Sequence, residues 1–245
     1  MTDMPTYEIE GQSVSLPCHV RKASSGGALY LVPADKARAL LEGPEIEVAE
    51  FLPGKALCTI TAIDYQDNDL GDYLEVSVAL FVRPAGERPF LPWLGNWMAL
   101  GSANLGVHIL HLPVNQSFTC EAGRKIWGYP KTVQNIQMTQ EGTRVTCELI
   151  YDGEHVLTFS TERGGTKTRK ESPVTTYSYI DGQAHKTIAL QTVTGFGTHK
   201  GASTELTLGS GVIADQLRSL GLPKKPITAM WMDHMVAKFG PPEPL

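Results

Sequence analysis

Thr143-Arg144-Val145-Thr146-Cys147-Glu148-Leu149-Ile150-Tyr151, followed by Asp152-Gly153 and a second run from His155 to Thr161, is the stretch on which the fold class turns. Val145, Cys147, Leu149 and Tyr151 alternate with Arg144, Thr146, Glu148 and Ile150, a period of two that puts alternate side chains on opposite faces of a strand. Asp-Gly supplies the positive φ that a two-residue hairpin turn requires, so the two runs are expected to pair as a hairpin. Similar β-branched or aromatic runs occur at Ala56 to Tyr65, Tyr73 to Val82, Val107 to Val114, Val133 to Thr139, Val174 to Ile180, Thr187 to Thr194, Thr204 to Leu208 and Ile227 to Met235. Closely spaced strands with few helices predict a mainly β chain whose antiparallel sheet closes, or nearly closes, into a barrel.

Only two stretches carry helical spacing together with stop signals. Ala34 to Glu42 follows Pro33 and ends at Gly43-Pro44, and Gly211 to Leu220 ends at Gly221-Leu222-Pro223. The one Pro/Gly-rich stretch long enough to be a linker, Arg83 to Gly106, also holds Phe90, Leu91, Trp93, Leu94, Trp97 and Met98. A solvated linker would not carry that aromatic load, so residues 1-245 are read as one domain with a packed loop or subunit contact there. Gly195-Phe196-Gly197-Thr198-His199-Lys200-Gly201 has neither the spacing nor the strand-to-helix setting of a phosphate loop and is read as a plain turn.

Across its 245 residues the chain is 42% apolar and 19% charged, with a formal charge of -5. The pI of about 5.8 argues against nucleic acid, whose partners carry a basic footprint. No apolar run is long enough to span a bilayer, and Met1 to Glu10 has acids where a signal peptide would have basic and then apolar residues. A cytoplasmic protein without membrane contact is expected. Cys18, Cys58, Cys120 and Cys147 lack any C-x-x-C pairing and read as reduced, inward-facing thiols. His108 and His111, three apart in a strand, should face opposite ways, which argues against a metal site. The cluster Arg163, Lys167, Arg169 and Lys170 reads as a solvated loop.

Leu70-Gly71-Asp72-Tyr73-Leu74-Glu75 and Gly123-Arg124-Lys125-Ile126-Trp127-Gly128-Tyr129-Pro130-Lys131 stand apart from the strand pattern. In these motifs, L-G-D-Y-x-E and then G-R-x-x-x-x-x-P-K, the chain resembles the acetoacetate decarboxylase-like superfamily. The resemblance implies a single barrel domain that oligomerises, and a lyase that needs no metal or organic cofactor. It implies that Lys131 forms a Schiff base with a small keto acid, leading to decarboxylation or to aldol and dehydration chemistry. Glu75 falls on the family's active-site glutamate. Arg124, Trp127 and Tyr129 are the candidate substrate-binding residues, and Asp72 and Tyr73 are assigned to the turn and the strand start.

A lysine amine with its ordinary pKa is nearly all ammonium at neutral pH and cannot attack a carbonyl. Either desolvation or a neighbouring cation must favour the neutral form; the cation route is already established for acetoacetate decarboxylase itself. The resemblance places a second lysine directly after the nucleophile, but here that residue is Thr132, so desolvation by Ile126, Trp127, Tyr129 and Pro130 is expected to do the work. The family's early-strand arginine is missing from Ala28 to Pro33, and its further glutamate is replaced in the Thr59-Ile60-Thr61 neighbourhood. These departures leave a second reading open, a non-catalytic or regulatory ligand-binding barrel that retains the pocket.

Overall fold

The computed structural model of the chain describes residues 5–245 apart from 88, 92, 101–104 and 200, and apart from the side chain of 202. A hairpin of β1 (Thr6–Ile9) and β2 (Gln12–Ser15) leads into β3 (Cys18–Pro33), helix α1 (Ala34–Arg38), the short β4 (Ile46–Val48) and β5 (Glu50–Leu52), then β6 (Lys55–Asn68) and β7 (Tyr73–Pro84). Helix α2 (Leu94–Ala99), β8 (Gly106–Val114), helix α3 (Ser117–Trp127) and β9 (Lys131–Val133) follow. The second half comprises β10 (Asn135–Glu141), β11 (Arg144–Tyr151), β12 (Glu154–Glu162), β13 (Lys167–Ile180), β14 (Gln183–His199), β15 (Glu205–Leu208), helix α4 (Val212–Ser219), β16 (Thr228–Phe239) and β17 (Glu243–Pro244).

Among the described residues, β3, β6, β7, β8, β13, β14 and β16 pair in a ring, each with the next and β16 with β3, and so close a barrel. Every pairing in the ring is antiparallel except β8 with β13. The sheet is therefore mixed, which corrects the antiparallel expectation. The physical reason is the long connection: α3 and three strands of a second sheet lie between β8 and β13, and a crossover of that length is what parallel neighbours need.

The second sheet, in the order β10-β11-β12-β15, contains the hairpin of the opening motif. Asp152 and Gly153 both take positive φ, 51° and 83°, and Tyr151 pairs with Glu154 across them. The inward residues of that hairpin, Cys147, Leu149, Leu157 and Phe159, join Tyr30, Ile60, Val78 and Leu80 from the outside of the barrel in one buried cluster, capped by Ile213 and Leu217 of α4. A second cluster, with Tyr65, Tyr73, Ile126, Trp127, Val193 and Met235, lies on the barrel's inner side and around α3. This division leaves the barrel held from outside by the second sheet and free to keep a cavity within.

Several local expectations change. The first helix ends at Arg38 rather than Glu42, and α3 is a helix that periodicity did not reveal. The Gly195 segment is not a turn: its residues up to His199 continue β14, with Gly195 at φ 67°, while Lys200 lies outside the described residues. Lys167, Arg169 and Lys170 belong to β13 rather than to a loop, and the Arg169 guanidinium sits 3.6 Å from the Phe196 ring centroid. His108 and His111 face the same way, because His108 pairs with Leu80 and His111 with Val78 while Leu110 is extra. That inserted residue reverses the alternation. No group of three or more potential metal-binding side chains forms among the described residues, and no described helix is long and apolar enough to cross a membrane.

Candidate active site

Helix α3 positions Lys131. The Gln116 side chain caps its first turn by accepting a hydrogen bond from the Thr119 backbone N–H at 2.7 Å, and Gly128 ends it in the left-handed conformation, φ 66°. A Cβ at Gly128 would collide with the carbonyl of Tyr179, so glycine is required there on two counts. The chain then turns through Tyr129 and Pro130 and enters β9, where Lys131 pairs in parallel with Leu112 of β8. The lysine stem runs back over the helix across Gly123. A Cβ at that glycine would stand 2.5 Å from Lys131 Cδ and 2.7 Å from Cε, so the glycine of the Gly-Arg pair is the groove in which the lysine lies.

The amine ends among acceptors. Lys131 Nζ is 2.9 Å from Glu75 Oε2, and it donates to Thr119 Oγ1 at 3.1 Å and to the Tyr73 hydroxyl at 3.5 Å. Both Lys131 and Glu75 are 5% exposed. Tyr65 donates to Glu75 Oε1 at 3.5 Å and stacks on Tyr73, the ring centroids 4.4 Å apart. Three acceptors around one nitrogen match the three N–H bonds of an ammonium. Burial alone would pull the lysine pKa down, but the Glu75 carboxylate, followed by Tyr73, outweighs it and holds the pKa above the ordinary lysine value. This overturns the expectation that desolvation leaves the resting amine neutral. Burial pushes the Tyr73 and Tyr129 hydroxyls up to about 12, so both are neutral at physiological pH.

Lys131 and Glu75 form part of the wall of a cavity of about 250 Å³, to which all seven ring strands contribute. Most of its lining is apolar, with Ile63, Leu70, Ala79, Ile109, Leu112 and Met235 among the contributors. Lys131 is the one cation among the described residues that line it.

Of the residues singled out in the sequence, Glu75, Trp127, Tyr129 and Lys131 meet at this cavity. Trp127 and Tyr129 stack with centroids 5.9 Å apart, and their polar ends are engaged by the protein, Trp127 Nε1 donating to the Gly240 carbonyl and the Tyr129 hydroxyl bonding with Thr176 Oγ1 of the same cavity wall. Arg124 does not join them. Its side chain is 60% exposed and lies 3.9 Å from Glu121, on the solvent side of α3, because the residue next to Gly123 on a helix points about 100° away. Asp72 is exposed at the turn, as its structural assignment expects. Sequence reasoning missed Tyr73, Tyr65, Thr119 and Ser25 as site residues. Tyr73 had a readable signal, since it stands two residues before Glu75 and so shares its strand face. Thr119 required knowledge that α3 is a helix, four residues before Gly123 on the same face.

The family model for acetoacetate decarboxylase (ADC) matches residues 3–240. An acetoacetate decarboxylase from Legionella pneumophila has a similar structure, with a TM-score of 0.70 at 18% identity, covering 94% of this chain and 87% of that one. The enduracididine biosynthesis enzyme MppR, solved with pyruvate, gives a TM-score of 0.62 at 13% identity over 94% and 91% of the two chains. An acetoacetate decarboxylase-like enzyme from Sphingomonas wittichii RW1 gives 0.56 at 12% identity over 95% and 94%. No curated protein sequence matches the chain. With a family match running almost end to end and the same barrel in these structures, the chain belongs to the acetoacetate decarboxylase family.

Proposed function

We propose that the protein is a lyase that acts on a small carbonyl compound through a Schiff base on Lys131. The observation that carries this reading is the buried Lys131 Nζ at the cavity wall, 2.9 Å from a carboxylate able to take and return its proton. In the resting pair the ammonium faces Glu75. Transfer of one proton from Nζ to Glu75 gives a neutral amine and a carboxylic acid, without a charge leaving the cavity. The amine lone pair then attacks the carbonyl carbon, and the proton remaining in excess on nitrogen passes to the former carbonyl oxygen. The carbinolamine loses that oxygen as water, with the proton supplied by Glu75, and the iminium cation that results faces the restored Glu75 carboxylate. The iminium withdraws electrons from the adjacent carbon, so a C–C bond or C–H bond there breaks with its electron pair moving into the enamine.

Thr119 and Tyr73 hold the nitrogen in place through these steps, and the apolar walls exclude water that would hydrolyse the iminium prematurely. The keto acid implied by the motifs is the type of compound found with MppR, which was solved with pyruvate. Decarboxylation and aldol or dehydration chemistry both start from the same iminium. The test is reductive trapping: the protein is incubated with a carbonyl compound and borohydride, and covalent mass is mapped to Lys131 by peptide mass spectrometry. A second reading, a ligand-binding barrel without turnover, is favoured by one observation, the full set of acceptors that stabilises the ammonium. Trapping at Lys131 with turnover of the same compound excludes that reading, and binding without any adduct establishes it.

A further inference from the structure

Ser25 is 1% exposed, lines the same cavity, and its hydroxyl has no hydrogen-bond partner. A buried hydroxyl without a partner forfeits hydrogen bonds that it makes to water in the unfolded chain, so folding alone gives no reason for it. Its place in the barrel is fixed by register. Ser25 of β3 pairs with Ile63 of β6, and Ile63 pairs with Glu75 of β7, so the serine occupies the same rung as the glutamate, two strands away. At about 4.8 Å per strand the two backbones are roughly 10 Å apart, and both side chains border one cavity. A molecule joined to Lys131 through its carbonyl carbon thus has the Ser25 hydroxyl along the wall, several atoms from the reacting centre.

Charge counting defines the rest of the molecule. Once the iminium forms, the cavity holds one positive charge on nitrogen and one negative charge on Glu75, and the described lining has no other ionic group. A neutral substrate leaves this balance at zero. A free keto acid adds a second buried carboxylate next to Glu75, with Lys131 already committed to the first.

We propose that the substrate is an uncharged ketone or aldehyde with an apolar body, and that Ser25 determines specificity by hydrogen-bonding an oxygen about four to six atoms from the carbonyl carbon. This rests on the Schiff-base reading and replaces the expected keto acid with a neutral carbonyl compound.

Three probes of matched length test it: 2-hexanone, 6-hydroxy-2-hexanone and 2-oxohexanoate, each trapped by borohydride on the full-length protein. Each rate is divided by the rate with free Nα-acetyl-lysine, which removes the greater intrinsic reactivity of the keto acid. The expected result is normalised trapping at least tenfold faster for 2-hexanone than for 2-oxohexanoate. The hydroxy ketone should gain a further twofold to tenfold, as one hydrogen bond allows, and Ser25→Ala should abolish that gain, read as the ratio of hydroxy-ketone to 2-hexanone trapping within the variant. Equal or faster normalised trapping of 2-oxohexanoate overturns the neutral-substrate proposal, and an unchanged hydroxy-ketone advantage in Ser25→Ala overturns the role of the serine. If none of the probes forms an adduct, the Schiff-base reading fails instead. Calorimetry then measures cavity selectivity directly, with binding of the hydroxy ketone over 2-oxohexanoate supporting the charge argument and the reverse order refuting it.

Discussion

Two buried opposite charges at Lys131 and Glu75 make this position sensitive to which partner is changed and how. Lys131→Arg keeps a cation opposite Glu75 but removes an amine able to form an iminium, so the variant should fold while adduct formation and turnover disappear; circular dichroism and trapping check the two halves. Lys131→Ala leaves the carboxylate buried without its cation, and a loss of roughly 3–5 kcal/mol in urea unfolding is expected. The pH dependence follows from the raised lysine pKa. Folding lifts it above the ordinary 10.5, so the stability contributed by the pair is complete below that pH and is lost as pH climbs through the folded value. Because the activating proton passes from Nζ to Glu75 within the pair, the reactive form carries the same number of protons as the resting one, and trapping by the wild type should change little between pH 7 and about 10. In Glu75→Gln the largest upward influence on the amine is gone and burial remains, but the internal proton acceptor and donor is lost too, so trapping near neutrality should slow and become pH-dependent, rising as the amine loses its proton to solvent. Steps after the adduct should slow by roughly 10² to 10⁴, the usual cost of a lost acid or base. A Glu75→Gln profile superimposable on the wild type would show that the carboxylate does not control the amine.

Helix α3 joins the two halves of the second motif: its Gly123 makes room for the lysine stem and its Thr119 holds the amine. Gly123→Ala tests that role. Alanine favours a helix interior by about 1 kcal/mol, yet the new Cβ meets Lys131 Cδ at 2.5 Å, and overpacking of this kind costs roughly 1–3 kcal/mol. Near-wild-type or slightly lowered stability is expected, with trapping reduced by about 10²-fold because the amine is pushed off its acceptors. Full trapping in this variant would mean that the stem has another path. The same helix shows where the sequence was opaque. Phe118, Thr119, Cys120, Gly123 and Trp127 are weak helix formers, and the cap is a glutamine, so neither periodicity nor capping announced it. Strand β3 was hidden for a related reason, since Lys22-Ala23-Ser24-Ser25-Gly26-Gly27 reads as loop by composition and is extended only because β6 and β16 bracket it. Strands with β-branched alternation, such as β11 and β12, were legible because the alternation and the Asp-Gly turn agreed. Lys131 and Glu75 were legible from motifs, whereas Ser25 and Thr119 became visible only through register and helix face.

On the scale of the whole molecule, helix α2 is fixed to the barrel on one side and, with Phe90 nearby in sequence, uncovered on the other. Asn96 donates to the Glu50 carbonyl, Trp97 Nε1 donates to the Phe51 carbonyl at 2.8 Å, and the Trp97 and Phe51 rings meet edge to face with centroids 5.0 Å apart. These contacts hold α2 against the barrel. Leu94 and Met98, four apart on its outer side, are exposed together with Phe90, which is 98% accessible. An apolar surface held rigidly in place costs little further ordering when a partner covers it, which distinguishes a docking face from a loose loop. Contiguous apolar surface on a lone protein usually marks such a contact. The expected partner is a second copy of this chain, and light scattering should report at least a dimer at micromolar concentration. Replacing both Phe90 and Met98 by Asp places charge in the proposed contact without disturbing the Asn96 and Trp97 anchors, so the variant should keep its thermal unfolding profile as a barrel while shifting to monomer. Since neither residue lines the cavity, trapping at Lys131 should persist in that monomer. A wild-type protein that stays monomeric from about 1 to 100 µM would remove the assembly argument, while a double variant that remains dimeric would place the interface elsewhere.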